Sequence, residues 1–135
     1  MTARYSSAKI PAGFLMLLFL FIHASAQSKS EVPFKTLRSL MLVTVLLDGH
    51  SKTLIFDTGA EHTIINDRRN VMISAELRIG KVVVLNCPVA MADMSNEQQQ
   101  AFSAVHADGV LGQDILQRFK NVRVNYSTNT ITLER

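Results

Sequence analysis

The sequence has no tryptophan and, in 135 residues, only one cysteine, three prolines and six glycines. With Cys87 alone, no intrachain disulfide can form. The thiol lies in the apolar segment Val82–Ala92, just before Pro88, so a buried, inert side chain is the expected state. Basic blocks and aromatic platforms are missing, and 14 Lys/Arg stand against 11 Asp/Glu; nothing in this marks a nucleic-acid binder. His50, His62 and His106 are scattered without ligand spacing, whereas zinc wants three or four converging ligands. No metal or other cofactor is expected. A G-x-S-x-G elbow is absent, and Cys87 sits in a strand-like run, which excludes the common serine and cysteine hydrolase patterns. No internal repeat is visible.

The longest apolar run is Ile10–Ile22, 13 residues, short of the roughly 20 that a helix needs to cross a bilayer. Arg4 and Lys9 precede it, and Ala24-Ser25-Ala26 follows. A basic start, a short apolar stretch and an A-x-A site form a secretory signal peptide. Residues 1–26 are expected to be such a leader, touching the membrane only in transit, and the location is expected to be periplasmic or secreted. Without Arg4 and Lys9, 12 basic residues face the 11 acids, so the remaining chain is close to neutral.

Residues 27–39 open with small polar side chains and read as a flexible N-terminal segment. From Leu40 on, short apolar runs alternate with turn signals, the pattern of an all-β domain over 40–135. Leu40–Leu47 is a buried strand, Asp48-Gly49 a hairpin signal, and Lys52–Phe56 the returning strand. Thr63–Ile65, Val71–Ile79, Val82–Leu85 and Pro88–Met91 follow, with Gly80 at a turn. Ser95–His106, which contains NEQQQ, reads as an exposed loop or short helical turn. In Gly112–Phe119, Ile115, Leu116 and Phe119 recur at helical spacing, predicting the one short helix. Asn121–Tyr126 and Thr130–Leu133 form a closing hairpin.

The chemistry concentrates in Leu54-Ile55-Phe56-Asp57-Thr58-Gly59-Ala60. A carboxylate at the end of a buried strand is costly unless it is hydrogen-bonded, paired or used. An Asp-Thr-Gly also suits an ordinary turn, and by average usage it occurs in about 2% of stretches of ~100 residues. The second element is Ala107-Asp108-Gly109-Val110-Leu111-Gly112-Gln113-Asp114-Ile115-Leu116, two apolar residues and a glycine leading into a helical turn. Together, in this order, the two segments resemble a bacterial retropepsin-like aspartic peptidase over about Leu40–Leu133.

That resemblance implies an acid-protease half-domain, a small closed β-barrel-like fold with one short C-terminal helix. Asp57 would be the catalytic aspartate. Thr58 would tie two active-site loops together across a dimer, Gly59 would meet a bound peptide through its backbone, and Ala60 would complete the loop. Gly112 would pack beneath it. Aspartic peptidases need two carboxylates sharing a proton, and this chain has one such motif, so a homodimer is implied, acting on a peptide or protein substrate. Asp108 and Asp114 read as turn and helix-start acids, and Glu61 as a surface charge or a substrate-orienting group.

One departure stands out. Between Gly59 and Gly80 the chain has 20 residues, polar at Asn66–Asn70 and without glycine. The family places a glycine-tipped flap there, so the flap is expected to be shortened or absent. The competing expectation is therefore a catalytically silent exported domain of the same fold that binds peptides or proteins.

Overall fold

The computed structural model describes residues 29–135; the leader expected at 1–26 lies outside the described residues. Nine strands and two helices follow in order: β1 (Lys29–Leu37), β2 (Leu40–Leu47), β3 (His50–Phe56), β4 (Ile64–Asn66), β5 (Val71–Ile79), β6 (Val82–Ala92), α1 (Asn96–Ser103), β7 (Gly109–Leu111), α2 (Gln113–Leu116), β8 (Asn121–Asn125) and β9 (Thr130–Glu134). The six strands β3-β7-β4-β6-β5-β2 close into a barrel through a β3–β2 pairing, and β1, β9 and β8 extend the sheet beyond β2. This is the all-β fold that the sequence pattern implies, closed into a barrel with few helices as the resemblance implies.

Strand alternation fills the barrel. Side chains two apart share a face, so Val43, Val45 and Leu47 of β2 point inward with Leu54 and Phe56 of β3 and Leu77 and Ile79 of β5, all buried. Each such aliphatic contributes about 1.5–3 kcal/mol on burial, against the entropy of ordering the chain. Asp48 and Gly49 both take positive φ, 46° and 80°, as the tight β2–β3 hairpin requires.

The sequence break between Leu85 and Pro88 is an irregularity inside one strand. The β5–β6 register shifts between Ala75 and Leu77, and Asn86 has φ 53°, so β6 runs on past the bulge. The Arg118 guanidinium fastens it, donating to the Leu85 and Asn86 carbonyls at 2.8 and 3.0 Å. Cys87 is fully buried beside it, and burial pushes its thiol pKa up.

Two expectations are corrected. Residues 29–37 of the segment expected to be flexible form β1, paired with both β2 and β9. Ser30, Val32 and Phe34 alternate inward, a period-2 signal interrupted to the eye by Pro33. The proline fits because Phe34 N–H donates to Asn129 O on the β9 side, so position 33 directs its missing donor away from β9. On that other side the β1–β2 pairing ends at Phe34↔Val43. The longer helix is also not at 112–119, where only Gln113–Leu116 is α-helical, but at Asn96–Ser103. Ser95 and Gln98 cap it reciprocally, Ser95 Oγ accepting from Gln98 N and Gln98 Oε1 from Ser95 N. That S-x-x-Q capping box was legible, but α1 buries no residue, so no apolar stripe announced it.

Candidate active site

Asp57 follows β3 directly, where the strand has left the core with Phe56. Its N–H donates to the Leu111 carbonyl at 3.1 Å, which continues the parallel β3–β7 pairing. Its Oδ1 accepts the Gly59 N–H at 2.7 Å, so the loop turns back on the carboxylate and fixes its orientation. Asp57, Thr58 and Gly59 are exposed and Ala60 is half-buried.

The loop rests on the start of α2. Gln113 N–H donates to Ala60 O at 2.8 Å and Asp114 N–H to Glu61 O at 3.1 Å. The Gln113 side chain donates to Thr58 O at 2.8 Å. Gly112 lies under the loop: a Cβ there would stand 2.6 Å from the His62 carbonyl carbon and oxygen and 3.0 Å from Ala60 O. Only a residue without a side chain lets β7 and α2 approach this closely. Gly109 has the same constraint against the Ile64 backbone.

Other acids lie nearby in the chain, and two of them are occupied. Asp114 accepts the Thr63 N–H through both carboxylate oxygens and the Thr63 hydroxyl at 2.7 Å, and Thr63 Oγ1 in turn accepts the Gly112 N–H at 3.0 Å. Asp108 Oδ2 accepts the Thr53 N–H at 2.7 Å. Glu61 is exposed and sits 3.6 Å from the His62 ring. Asp57 is an exposed carboxylate on the loop, and Asp108 and Asp114 are engaged elsewhere. Thr63, Gln113 and Gly109 were not singled out from sequence; Asp114 was, as a helix-start acid, and its partner proves to be the loop rather than its own helix. Nothing in the spacing names a partner 51 residues away.

A face suited to apolar side chains runs beside Asp57. Cross-strand pairs link Leu42↔Ile55, Ile55↔Val110, Val110↔Ile64, Ile64↔Ala90 and Ala90↔Met72 in one row. The row is the side of the sheet opposite the Leu54–Leu111 core. Ile55, Val110, Ile64 and Ala90 are half-buried and Met72 is 63% exposed. Asp57 lies two residues beyond Ile55, on the side to which Ile55 points.

No hairpin rises between β4 and β5. Asp67–Asn70 turns directly from one to the other, closed by Asp67, whose carboxylate accepts the Arg69 N–H, Nε and Nη2, each at 2.9 Å. That hydrogen-bonded guanidinium holds the Asp67 pKa down at about 2. The hairpin turn at Gly80 is tied down as well: Ser30 Oγ accepts the Lys81 N–H at 2.9 Å and donates to Ile79 O at 3.3 Å. Cavities of about 500, 610 and 580 Å³ are lined by other residues, and Asp57 lines none of the three. Among the described residues no three His, Cys, Asp or Glu side chains converge as metal ligands would.

Comparison with models of known protein families gives no match, and neither does comparison with curated protein sequences. Among solved structures, a retropepsin-like aspartic protease from Rickettsia conorii is similar in fold, with a TM-score of 0.55 and 15% identity, covering 81% of this chain and 93% of that one. At that identity the likeness establishes the fold alone.

Proposed function

We propose that the chain is an exported aspartic endopeptidase, complete only as a homodimer, with Asp57 of each copy forming the catalytic pair. One observation carries the reading: an exposed carboxylate, oriented by Gly59 N–H, stands on a loop whose neighbouring acids Asp108 and Asp114 are engaged by backbone. The second carboxylate then comes from a second copy. Two carboxylates sharing a proton are the established device of aspartic proteases, since neighbouring like charges cannot both ionise. The ionised Asp57 takes a proton from a water that attacks the scissile carbonyl carbon. The protonated Asp57 donates to the carbonyl oxygen. The tetrahedral intermediate then collapses, breaking the C–N bond as the amine leaves with a proton.

In this reading Thr58 ties the paired loops, Gly59 meets the peptide backbone, Ala60 completes the loop and Gly112 supports it from below. The half-buried row Ile55–Val110–Ile64 receives apolar side chains of the substrate. Export to the periplasm or beyond rests on the leader-like residues 1–26.

The direct Asp67–Asn70 turn favours a second reading, a silent peptide-binding domain, because a site without a covering hairpin positions its substrate less well and admits water. Mass-spectrometric mapping of cleavage in a denatured-protein peptide library, from acidic to neutral pH, separates the two. Cleavage by the purified chain that disappears in Asp57→Asn, with fold retained, supports the peptidase. A folded dimer that cleaves nothing across that range rejects it in favour of the binding domain.

A further inference from the structure

A cavity of about 500 Å³ that does not include Asp57 has Phe34, Leu37, Leu42 and Val105 in its apolar wall. Phe34, Leu42 and Val105 are 4%, 8% and 2% exposed, whereas Leu37 is 39% exposed and stands at the mouth. The volume falls in the range of about 300–1,000 Å³ typical of pockets that enclose small ligands. Two of the lining residues can carry charge, Lys35 and His106, and in both the charge is positive; no Asp or Glu lines the cavity. Among the described residues Lys35 takes part in none of the ion pairs.

The wall that carries Val105 and His106 is held firmly. Ala107 N–H donates to Phe102 O at 2.9 Å and His106 N–H to Ser103 O at 3.1 Å, the paired bonds of a Schellman ending. The left-handed position of that motif is usually glycine; here it is His106, with φ 55°. A Cβ makes this conformation costly, so an imidazole is kept at the cavity wall against the local backbone preference. The same segment is pinned to β3: Asp108 N–H donates to Thr53 O at 2.7 Å, and Asp108 Oδ2 accepts the Thr53 N–H at 2.7 Å. Although α1 buries no residue of its own, its C-terminal end leads directly into Val105 and His106.

We infer that this cavity binds a free aliphatic carboxylate, its alkyl chain against Phe34, Leu42 and Val105 and its head group at Lys35 and His106. An apolar body matches the buried walls, since covering them removes alkyl surface from water. An anionic head matches a site with two cationic residues and no acid, since a carboxylate accepts strong hydrogen bonds from an ammonium and an imidazole N–H. A compact phosphate leaves the apolar wall uncovered, and a neutral hydrocarbon leaves Lys35 without a counter-charge. A protein partner takes a broad exposed apolar face, whereas three of these four apolar side chains are buried.

Calorimetric titration of the purified chain with hexanoate, octanoate, decanoate and dodecanoate tests the inference, with circular dichroism as the check on folding. The dissociation constant is expected to fall about four-fold for each methylene added. Decanol has the decanoate chain without the charge and is expected to bind about ten-fold more weakly. Lys35→Met keeps an alkyl side chain and removes the ammonium, so it should weaken decanoate about ten-fold and leave decanol unchanged. His106→Gly separates a ligand contact from a structural role. Glycine suits φ 55°, so the thermal midpoint should not fall, while decanoate binding weakens several-fold. The inference is overturned if dodecanoate shows no saturable binding up to about 1 mM, if affinity is the same at every chain length, or if decanol binds as tightly as decanoate. A folded Lys35→Met or His106→Gly that binds decanoate like the wild type overturns it as well. If Lys35→Met fails to fold, decanol and His106→Gly decide. Every readout is binding rather than cleavage, so the outcome is independent of the peptidase reading.

Discussion

The Asp114 carboxylate grips Thr63 twice over, both oxygens on its N–H at 3.0 and 2.9 Å and Oδ1 on its hydroxyl at 2.7 Å. Thr63 is 1% exposed and passes the contact on by accepting the Gly112 N–H, so one carboxylate joins the end of the Asp57 loop to the start of α2. Removing it leaves a buried hydroxyl and N–H without their acceptor. Hydrogen bonds to a charged group contribute about 1.5–3 kcal/mol each, and these share one acceptor group. Asp114→Ala is expected to lower stability by about 2–3 kcal/mol in urea denaturation. Asp114→Asn keeps one acceptor oxygen and is expected to recover part of the loss. An equal loss in both variants would mean that the charge itself, rather than the acceptor geometry, holds the loop.

Gly112 and Gly109 are expected to resist substitution because their neighbours are backbone. A methyl at 112 meets the His62 carbonyl at 2.6 Å, and a carbonyl cannot swing aside as a side-chain tip can. Overpacking of this kind costs typically about 1–3 kcal/mol. Gly112→Ala should therefore lower the thermal midpoint and, by lifting the loop, reduce cleavage further than its stability loss explains. Gly49 is the control: a Cβ there meets nothing within 4 Å, though its φ of 80° makes alanine strained. Gly49→Ala should cost stability without touching the loop. Equal cleavage in the two variants at matched folded fractions would contradict the packing account.

The barrel was legible where an apolar run was bounded by turn signals. Leu40–Leu47 and Val71–Ile79 coincide with β2 and β5, because each is an apolar-rich run of strand length and Asp48-Gly49 and Gly80 punctuate them. β1 was not, since Pro33 interrupts the alternation and its pairing with β9 is set by residues about a hundred positions away. The loop Asp57–Ala60 was visible from Phe56-Asp57-Thr58-Gly59, a local motif. The support beneath it was only half visible: Gly112 stands in a readable segment, whereas Thr63, Gln113 and Asp114 act through long-range hydrogen bonds that no local pattern encodes. The polar, glycine-free interval Asn66–Asn70 did announce its turn, because a projecting hairpin needs both length and a residue that tolerates its tip.

Asp67 and Arg69 give that turn a measurable signature. The Asp67 pKa is held at about 2 by the Arg69 hydrogen bonds. A depressed folded value means that any stabilisation from this pair is present above the unfolded carboxyl pKa of roughly 3.9 and fades as pH falls toward the folded value. In Arg69→Ala the Asp67 carboxyl should titrate higher than in the wild type yet stay below roughly 3.9, because the backbone N–H of position 69 still donates to it, read from its side-chain carbon shift by NMR. Both groups lie at the surface, so global stability at neutral pH should change little. An unchanged titration in the variant would show that backbone donors alone set the value.

Val110 separates a substrate-binding face from ordinary core. It is half-buried, pairs with both Ile55 and Ile64, and lies one residue before Leu111, whose carbonyl receives the Asp57 N–H. Val110→Thr keeps the shape and the branched side chain that β7 favours, and replaces one methyl with a hydroxyl. If a substrate side chain packs there, about 1 kcal/mol of apolar contact is lost, which corresponds to roughly a five-fold fall in kcat/KM. The fall should appear for peptides with a bulky apolar residue next to the scissile bond and vanish for those with a small one, because only the former reach the row. The thermal midpoint should move little, since Val110 already faces solvent on that side. If stability falls while kcat/KM holds for both peptides, the row belongs to the packing of the barrel, and the substrate lies elsewhere along the Asp57 loop.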